Sequence, residues 1–229
     1  MVKRKAIIDD GFNPELVAGA RLAGIFEIPC IEAPDTIIVP EGFTPWTQRK
    51  RAPSTNELLE FFEHDISFAE VLISPEDYTE DILKFPLFTP LDNSLYRDAS
   101  LAVQIGNIYR SRAIGYYYQR KGANVYPLIR WGDERTYTTC LLPEKVAFIG
   151  VEGHSPVVVS SYGCYRSRAD KFHFEAGFMA MMDELEPSMV LVHGAISKNL
   201  TNKVRDRTEL HQYCLLYTSD AADEARSVD

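Results

Sequence analysis

The chain has 229 residues, with 24 Lys and Arg against 33 Asp and Glu, and this net charge of −9 argues against a dedicated duplex-DNA-binding protein. No apolar run reaches the roughly 18 residues that a membrane helix needs, and the first residues lack the apolar core of a secretory signal. Cys30, Cys140 and Cys164 show no disulfide or CxxC spacing, so reduced thiols and a cytoplasmic location are expected.

The first third of the chain gives few regular signals. Glycine and proline recur through residues 1–35, which predicts irregular backbone. A β-branched run at 36–39 predicts a short strand, and the apolar spacing over 55–63 predicts a helix. Ser74 and Pro75 are typical of a helix start, so a second helix is expected from there to about residue 84.

From residue 87 onward, short β-branched runs alternate with helical patterns, as in βα units with a parallel sheet. We therefore predict a single α/β domain over 1–213. Its mainly parallel sheet either closes partly into a βα barrel or stays open between two helical layers. The predicted strands are 87–89, 124–129, 156–160, 189–192 and 209–213, with 146–150 as a strand or an insertion, and the predicted helices are 98–121, 134–141, 170–185 and 197–204.

The end of the chain has a different character from the rest. The stretch CLLYTSDAADEARSVD, residues 214–229, resembles the translation of a transposon-type sequencing-library adaptor. Segments of this kind are left out of fold reasoning. We expect the native sequence to be interrupted near Tyr213, as in a short metagenomic read, and 214–229 to be an artefactual tail.

Polar residues follow the predicted strands at the point where each strand ends. Asp92 follows the strand at 87–89, the cluster Arg130–Glu134 follows the next, and His193 follows the strand at 189–192. Because the carboxyl ends of parallel strands meet at one edge of a sheet, and ligands bind there, we expect a site at this edge. The alternative is that strand ends and loops are polar simply because they are hydrated.

The long predicted helix carries an arginine on its apolar stripe. A buried guanidinium is almost always paired, so we expect Arg112 to contact Asp92, Asp133 or Glu134. Such a pair would either hold the helix to the sheet or help to bind an anion bidentately. Arg97, near the start of this helix, could face the same strand ends. The stripe comprises Leu101, Ile105, Ile108, Arg112 and Gly115.

Cys164 is the candidate nucleophile among the cysteines. It lies shortly before the helix predicted to begin at Asp170, and a helix N-terminus can activate a thiol. A nucleophilic cysteine needs a base, for which His193 is the candidate, although a lone cysteine is more commonly a packing residue. Neither these residues nor His173 show the spacing of a metal site, so no metal is predicted and no cofactor is identified.

Three motifs resemble the domain of unknown function 4417 family of bacteria, archaea and phages. They are NIYRSRAIGYYYQRKGANVYPLIRWGDERTY at 107–137, VVVSSYGC at 157–164 and VLVHG at 190–194. The resemblance implies an α/β domain found in cellular genomes and mobile elements, and it implies no activity. Two positions depart from the family pattern. In TPLDNS at 89–94, Leu91 separates Pro90 from Asp92, and in VLVHG His193 stands where a tyrosine is expected.

Our first hypothesis is an enzyme or ligand-binding domain for an anionic, phosphate-bearing small molecule or a nucleotide. Arg130 and Arg112 would hold the anion, and Asp133 or Glu134 would act as general base or metal ligand. Cys164 would line the pocket. Whether the protein is an enzyme stays open. The candidate catalytic residues are Asp92, Asp133, Glu134 and Cys164, and the candidate ligand-binding residues are Arg97, Arg112, Arg130, Ser160 and His193.

Our second hypothesis is a non-catalytic interaction protein of a phage or mobile element, which binds nucleic acid or a host protein. In that case the charges of Arg130–Glu134 would form an ion-pair latch that fixes the turn between strand and helix. The basic cluster at 49–51 would then contribute to a binding face, although three charges in a proline-flanked loop are more commonly solvated.

Overall fold

Three short strands form the first parallel sheet. The computed structural model describes residues 13–51 and 56–213. A small antiparallel pair, β1 (Leu22–Ala23) and β2 (Ile28–Pro29), comes before this sheet. The sheet then contains β3 (Gly42–Pro45), β4 (Glu57–Glu60) and β5 (Leu87–Phe88), which pair in parallel in that order.

A second parallel sheet is built from the later part of the chain. Its strands are β6 (Val157–Ser160), β7 (Met189–His193) and β8 (Glu209–Tyr213), again paired in chain order. The apolar, β-branched character of β6 and β7 explains their position, because a parallel strand is buried on both faces. The predicted strands over these three ranges, and the predicted α/β fold with parallel sheets, are confirmed.

The extended segment 124–129 connects the two sheets. Tyr126 donates its backbone N–H to the carbonyl of Phe88 at 2.9 Å, and Ile129 donates to the carbonyl of Val158 at 2.8 Å. Only isolated parallel bridges form here, because Pro127 has no N–H to contribute to a ladder. The continuous strand predicted for this segment is therefore interrupted, yet the segment still joins both sheets into one parallel series.

The two ends of this series come together, which distinguishes a barrel-like fold from an open sheet. The ring of Phe43 on β3 stacks on that of Tyr213 on β8, with centroids 4.4 Å apart. The Tyr213 hydroxyl also donates to the carbonyl of Pro40 at 2.7 Å. Among the described residues, β8 and β3 share no backbone pairing. The enclosed apolar cluster comprises Leu58, Leu87, Tyr126, Leu128, Val158, Met189 and Leu191, with Phe43, Phe62 and Tyr213 packed against it.

Helices cover the outside of this ring in two further apolar clusters. The outward side chains of β4 and β5 pack with one cluster together with Val125, and those of β6 and β7 pack with the other together with Ile129. No helix in the described part of the chain is long and apolar enough to cross a membrane. The α-helices are α1 (Ala69–Ile73), α2 (Thr79–Leu83), α3 (Leu101–Arg120), α4 (Glu134–Tyr137), α5 (Arg168–Leu185) and α6 (Lys198–Val204).

Two element predictions in the first third of the chain are wrong. Residues 36–39 form no strand, and the helix predicted over 55–63 is the strand β4 instead. The reason lies in β4 itself, because Leu58 faces the enclosed cluster and Leu59 the outer one, so both are buried. A short strand that is apolar on both faces produces the same spacing as a buried helix segment.

Smaller differences concern helix ends and the last residues. Asp98 does not cap α3, which begins after Ser100, and the side chain that caps α5 is Ser167, whose hydroxyl accepts from the N–H of Asp170. The helix predicted over 134–141 ends at Tyr137, and Val146–Phe148 is a short 3-10 turn. The adaptor-like stretch 214–229 lies outside the described residues.

Candidate functional site

Inside the ring, polar side chains lie just beyond apolar ones. Side chains two positions apart on a strand point to the same face. A residue two positions after a member of the enclosed apolar cluster therefore also faces the interior of the ring. In five cases that residue is polar or charged. The pairs are Leu58 and Glu60, Leu87 and Thr89, Leu128 and Arg130, Val158 and Ser160, and Leu191 and His193.

We call Glu60, Thr89, Arg130, Ser160 and His193 the polar layer. It lies at the carboxyl edge of the strands, where the sequence analysis expects a site. Four of its members are buried, and Arg130 is partly exposed. The layer therefore combines charged or polar chemistry with a low-dielectric surrounding, which strengthens electrostatic interactions with any group that enters.

A cleft of about 1220 Å³ opens at this edge. The strand-end loops and the start of α5 provide its walls, so residues far apart in the chain are brought together. Two predicted site residues, Arg112 and His193, are not part of its lining. The other seven predicted residues line it: Asp92, Arg97, Arg130, Asp133, Glu134, Ser160 and Cys164.

Arg130 and Asp92 form an ion pair at the cleft. The Nε atom of Arg130 lies 3.1 Å from Oδ1 of Asp92, and its Nη1 donates to the carbonyl of Ser160 at 3.4 Å. The approach of Nε lacks hydrogen-bond geometry, so Asp92 Oδ1 has no hydrogen-bond partner among the described residues. Burial raises the pKa of Asp92 although Arg130 opposes the shift. The pair is therefore incompletely satisfied and retains hydrogen-bonding capacity.

Glu60 is a buried acid that the sequence analysis missed. It is 2% exposed, and one carboxyl oxygen accepts from the backbone N–H of Phe62. Burial raises the pKa of Glu60 to about 8, with Glu63 and Asp92 adding to the shift and the Phe62 N–H opposing it. The carboxyl is thus mostly protonated at neutral pH. Predicting β4 as a strand would have placed Glu60 at a strand exit and identified it.

His193 and Ser160 are neighbours in the polar layer. His193 Nδ1 lies 3.4 Å from Ser160 Oγ, and the imidazole stacks on Phe62 with ring centroids 4.3 Å apart. Burial lowers the pKa of His193 to about 4, and the charge of Arg130 lowers it further. The imidazole is therefore neutral at physiological pH, which allows it to accept or donate one hydrogen bond.

Cys164 lines the cleft beside Ser160 rather than pairing with His193. Its Sγ atom lies 3.8 Å from the carbonyl of Ser160, and the recorded contact of the His193 ring nitrogen is with Ser160 Oγ. Burial raises the pKa of the thiol, and the nearby Arg130 only partly offsets this. The expected activation of Cys164 by the following helix is therefore wrong in direction, and the thiol is a neutral wall of the cleft.

The charges at the rim are engaged with one another. Asp133 caps α4 through the N–H of Arg135 at 3.1 Å, and it also accepts from Arg135 Nε at 2.9 Å. Burial would raise the pKa of Asp133, but the Arg135 hydrogen bonds outweigh it and hold that pKa below its usual value. Glu134 lies 3.4 Å from His173 Nδ1, and Arg97 lies 3.2 Å from Asp170. Asp133 thus has a structural partner in place.

Arg112 lies in the core, where its guanidinium donates to three backbone carbonyls. The distances are 2.7 Å to Leu128, 3.0 Å to Ala147 and 3.2 Å to Ile149. Burial lowers its pKa to about 10, so it stays charged at neutral pH. The predicted burial is confirmed, but the predicted carboxylate partner is wrong. Arg112 connects α3 to two loops and does not line the cleft.

The fold and cleft define a barrel-like α/β protein with a polar site at the carboxyl edge of its strands. The chain belongs to the family described as Domain of unknown function (DUF4417), which matches residues 20–214. Within residues 13–51 and 56–213, no three His, Cys, Asp or Glu side chains gather to hold a metal ion.

Two phage proteins are similar to this chain. The Gene 1 protein of Mycobacterium phage D29 is 30% identical over 174 residues, which cover 75% of this chain and 61% of that protein. The Gene 1 protein of Mycobacterium phage L5 is 29% identical over 174 residues, which cover 75% of this chain and 72% of that protein. The chain thus spans less than two thirds of the D29 protein, and the family occurs in phages. No solved structure shows a significant match.

Proposed function

We propose that the cleft binds a small anionic ligand, of the class of phosphate-bearing compounds and nucleotides, and that Arg130 contacts the anionic group. The observation that carries this proposal is the incomplete pairing of Arg130. Its Nε faces Asp92 and its Nη1 makes one long hydrogen bond to Ser160, while Nη2 makes no hydrogen bond to a described residue. A guanidinium with donors to spare is well suited to bind phosphate or carboxylate oxygens.

The charge state of the polar layer supports an anion at this position. Glu60 is mostly protonated and His193 is neutral near pH 7, so the carboxylates that act on Arg130 there are Asp92, which is paired with it, and Asp65. The acids of the rim are held by neighbouring side chains, as with Asp133 and Arg135. This pairing reduces the field that Asp133 exerts at Arg130.

Asp92 is the carboxylate that we propose for acid–base chemistry, if a reaction follows binding. It lines the cleft, it is nearly buried, and its pKa is raised by burial, as is usual for general acids and bases. Asp133 is less suited to this role because Arg135 occupies both of its carboxyl oxygens. Glu134 lines the cleft, and its catalytic role stays a prediction.

The alternative is an interaction protein that binds nucleic acid, and the basic cluster at 49–51 gives it little support. The guanidinium of Arg49 stacks over Trp46 at 3.9 Å and pairs with Asp81 at 3.3 Å. One of the three charges is therefore committed to the fold. Partners of this kind stay a prediction, and the ligand-binding cleft is the function that we favour.

Binding can be tested with Arg130→Gln, using ribose 5-phosphate and inorganic phosphate as probes. We expect wild type to bind at least one of them and Arg130→Gln to bind it about 10-fold or more weakly, because a charge-assisted contact is lost. Isothermal titration calorimetry gives the dissociation constants. Asp92 can take up a proton when its partner is removed, which favours folding of the variant.

Arg97→Gln is the matched control, because Arg97 lines the same cleft but pairs with Asp170 at the rim. It should bind the probes as wild type does. Equal affinity in wild type and Arg130→Gln, with both proteins folded by circular dichroism, would remove Arg130 from the site. Absence of binding of ribose 5-phosphate, inorganic phosphate and nucleoside monophosphates alike to folded wild type would overturn the proposed function.

A further inference from the structure

Two tyrosine rings are exposed within the cleft. Tyr96, in the loop after β5, and Tyr162, in the loop after β6, line the cleft and are 66% and 54% exposed. A single exposed aromatic residue is ordinary, but aromatic rings that flank a polar pocket provide flat surfaces on which planar ligand groups stack. Their position relative to Arg130 decides what could lie on them.

The backbone around Tyr162 is anchored to the polar layer. Its N–H donates to Ser160 Oγ at 3.3 Å, and Cys164 N–H closes the turn on the carbonyl of Ser161 at 3.0 Å. Gly163 has a φ of +74°, which suits a tight turn that a side chain would strain. The tyrosine therefore extends from a fixed turn two residues beyond Ser160.

The ring of Tyr162 is also in contact with the guanidinium of Arg166. The guanidinium carbon of Arg166 lies 5.7 Å from the ring centroid, within the range of a cation–π contact. Ser160 connects the backbone of Tyr162 to the anion contact, because its carbonyl accepts from Arg130 Nη1 and its hydroxyl accepts from Tyr162 N–H. An aromatic surface and a cation with a spare donor therefore adjoin one residue.

We infer that the ligand carries a planar ring as well as an anionic group, with the ring stacked on Tyr162 and the phosphate on Arg130. This arrangement fits a nucleoside monophosphate better than inorganic phosphate or a sugar phosphate. The inference rests on the proposed function, because it extends the same site from its anion contact to a second contact. Stacking of a base on an aromatic side chain is sequence-tolerant, so any of the common bases can provide the ring.

The test compares ribose 5-phosphate with the nucleoside monophosphates of adenine, guanine, cytosine and uracil. Calorimetric titrations of wild type should show the best nucleotide binding about 5- to 100-fold more tightly than ribose 5-phosphate. Tyr162→Ala should remove this difference and leave ribose 5-phosphate binding unchanged, whereas Tyr162→Phe should retain the difference. Phe172→Ala is the control, since Phe172 is an exposed ring on α5 outside the cleft lining.

The outcomes separate this inference from the proposed function. If ribose 5-phosphate binds and needs Arg130, but no nucleotide binds more tightly, the ring contact is overturned and the anion site stands. If nucleotides bind more tightly and Tyr162→Ala keeps the whole difference, the assignment of the ring to Tyr162 is overturned. If no phosphate compound binds folded wild type, the anion site fails and the ring contact fails with it.

Discussion

Replacement of Arg112 by methionine is expected to lower the free energy of unfolding by about 3–5 kcal/mol. Methionine fills much of the volume and removes a buried charge, which by itself can be neutral. The carbonyls of Leu128, Ala147 and Ile149 stay behind, however, and lose their donors, in buried surroundings for the first two and in part-buried surroundings for Ile149. Unsatisfied acceptors of this kind cost about 1–3 kcal/mol each, so the loss outweighs the gain.

Urea unfolding at neutral pH measures this effect. Arg120→Met on the same helix is the matched control, because Arg120 also donates to two carbonyls, those of Ala18 and Glu15, but in an exposed position. Water can replace it there, so a change below about 1 kcal/mol is expected. Equal stabilities of the Arg112 and Arg120 variants would show that these three carbonyls do not need their donor.

Replacement of Glu60 by glutamine is expected to stabilise the protein at pH 7 by about 3 kcal/mol and to leave it unchanged near pH 4. Burial raises the pKa of Glu60 from 4.5 to about 8 in the folded state. Between these values the folded chain holds a proton that the unfolded chain has released. Wild-type stability therefore falls as pH rises through this window, by about 1.4 kcal/mol per unit, and levels off above it.

Glutamine resembles the protonated acid and does not titrate, so the variant should lack this slope. Urea unfolding of both proteins at several pH values between 4.5 and 9 measures the difference between the two curves. Glu76→Gln, a change at an exposed surface position, should follow the wild-type curve. Parallel curves for wild type and the Glu60 variant would mean that Glu60 is ionised in the folded protein at neutral pH.

The later strands and their exits could be predicted because they depend on local pattern. Apolar β-branched runs such as Val157–Ser160 must be buried on both faces, and a polar residue directly after such a run marks the carboxyl edge. The strand ends were therefore enough to predict that Asp92, Arg130 and Cys164 lie around one cleft. It required only that the strands be parallel.

Contacts that leave no local pattern could not be predicted in the same way. The burial of Arg112 follows from its helical stripe, but backbone carbonyls accept its hydrogen bonds, and every residue has a carbonyl. The capture of Asp133 by Arg135 likewise depends on side-chain geometry within the turn rather than on residue type. Because Arg130 and Arg135 both lie close to Asp133 in the sequence, residue type alone does not show which arginine pairs with it.

Ring closure is another property that the sequence does not display. Phe43 and Tyr213 lie far apart in the chain. Among the described residues, their strands β3 and β8 meet through the stacked rings of these two side chains and form no backbone ladder with each other. Glu60 was missed for a related reason, since the strand that carries it is apolar on both faces and resembles a helix segment. Because β4 was predicted as part of a helix, Glu60 was not recognised as a member of the polar layer.

The arrangement of the polar layer has a consequence for how the site can diversify in evolution. Each member, such as Glu60 or His193, stands on its own strand directly beyond an apolar residue that fills the ring. A substitution at one member is therefore expected to change the polar chemistry at the carboxyl edge while the residues beneath continue to support the barrel. Members on different strands can change independently, so under the proposed function the same fold can adapt to different ligands through single substitutions.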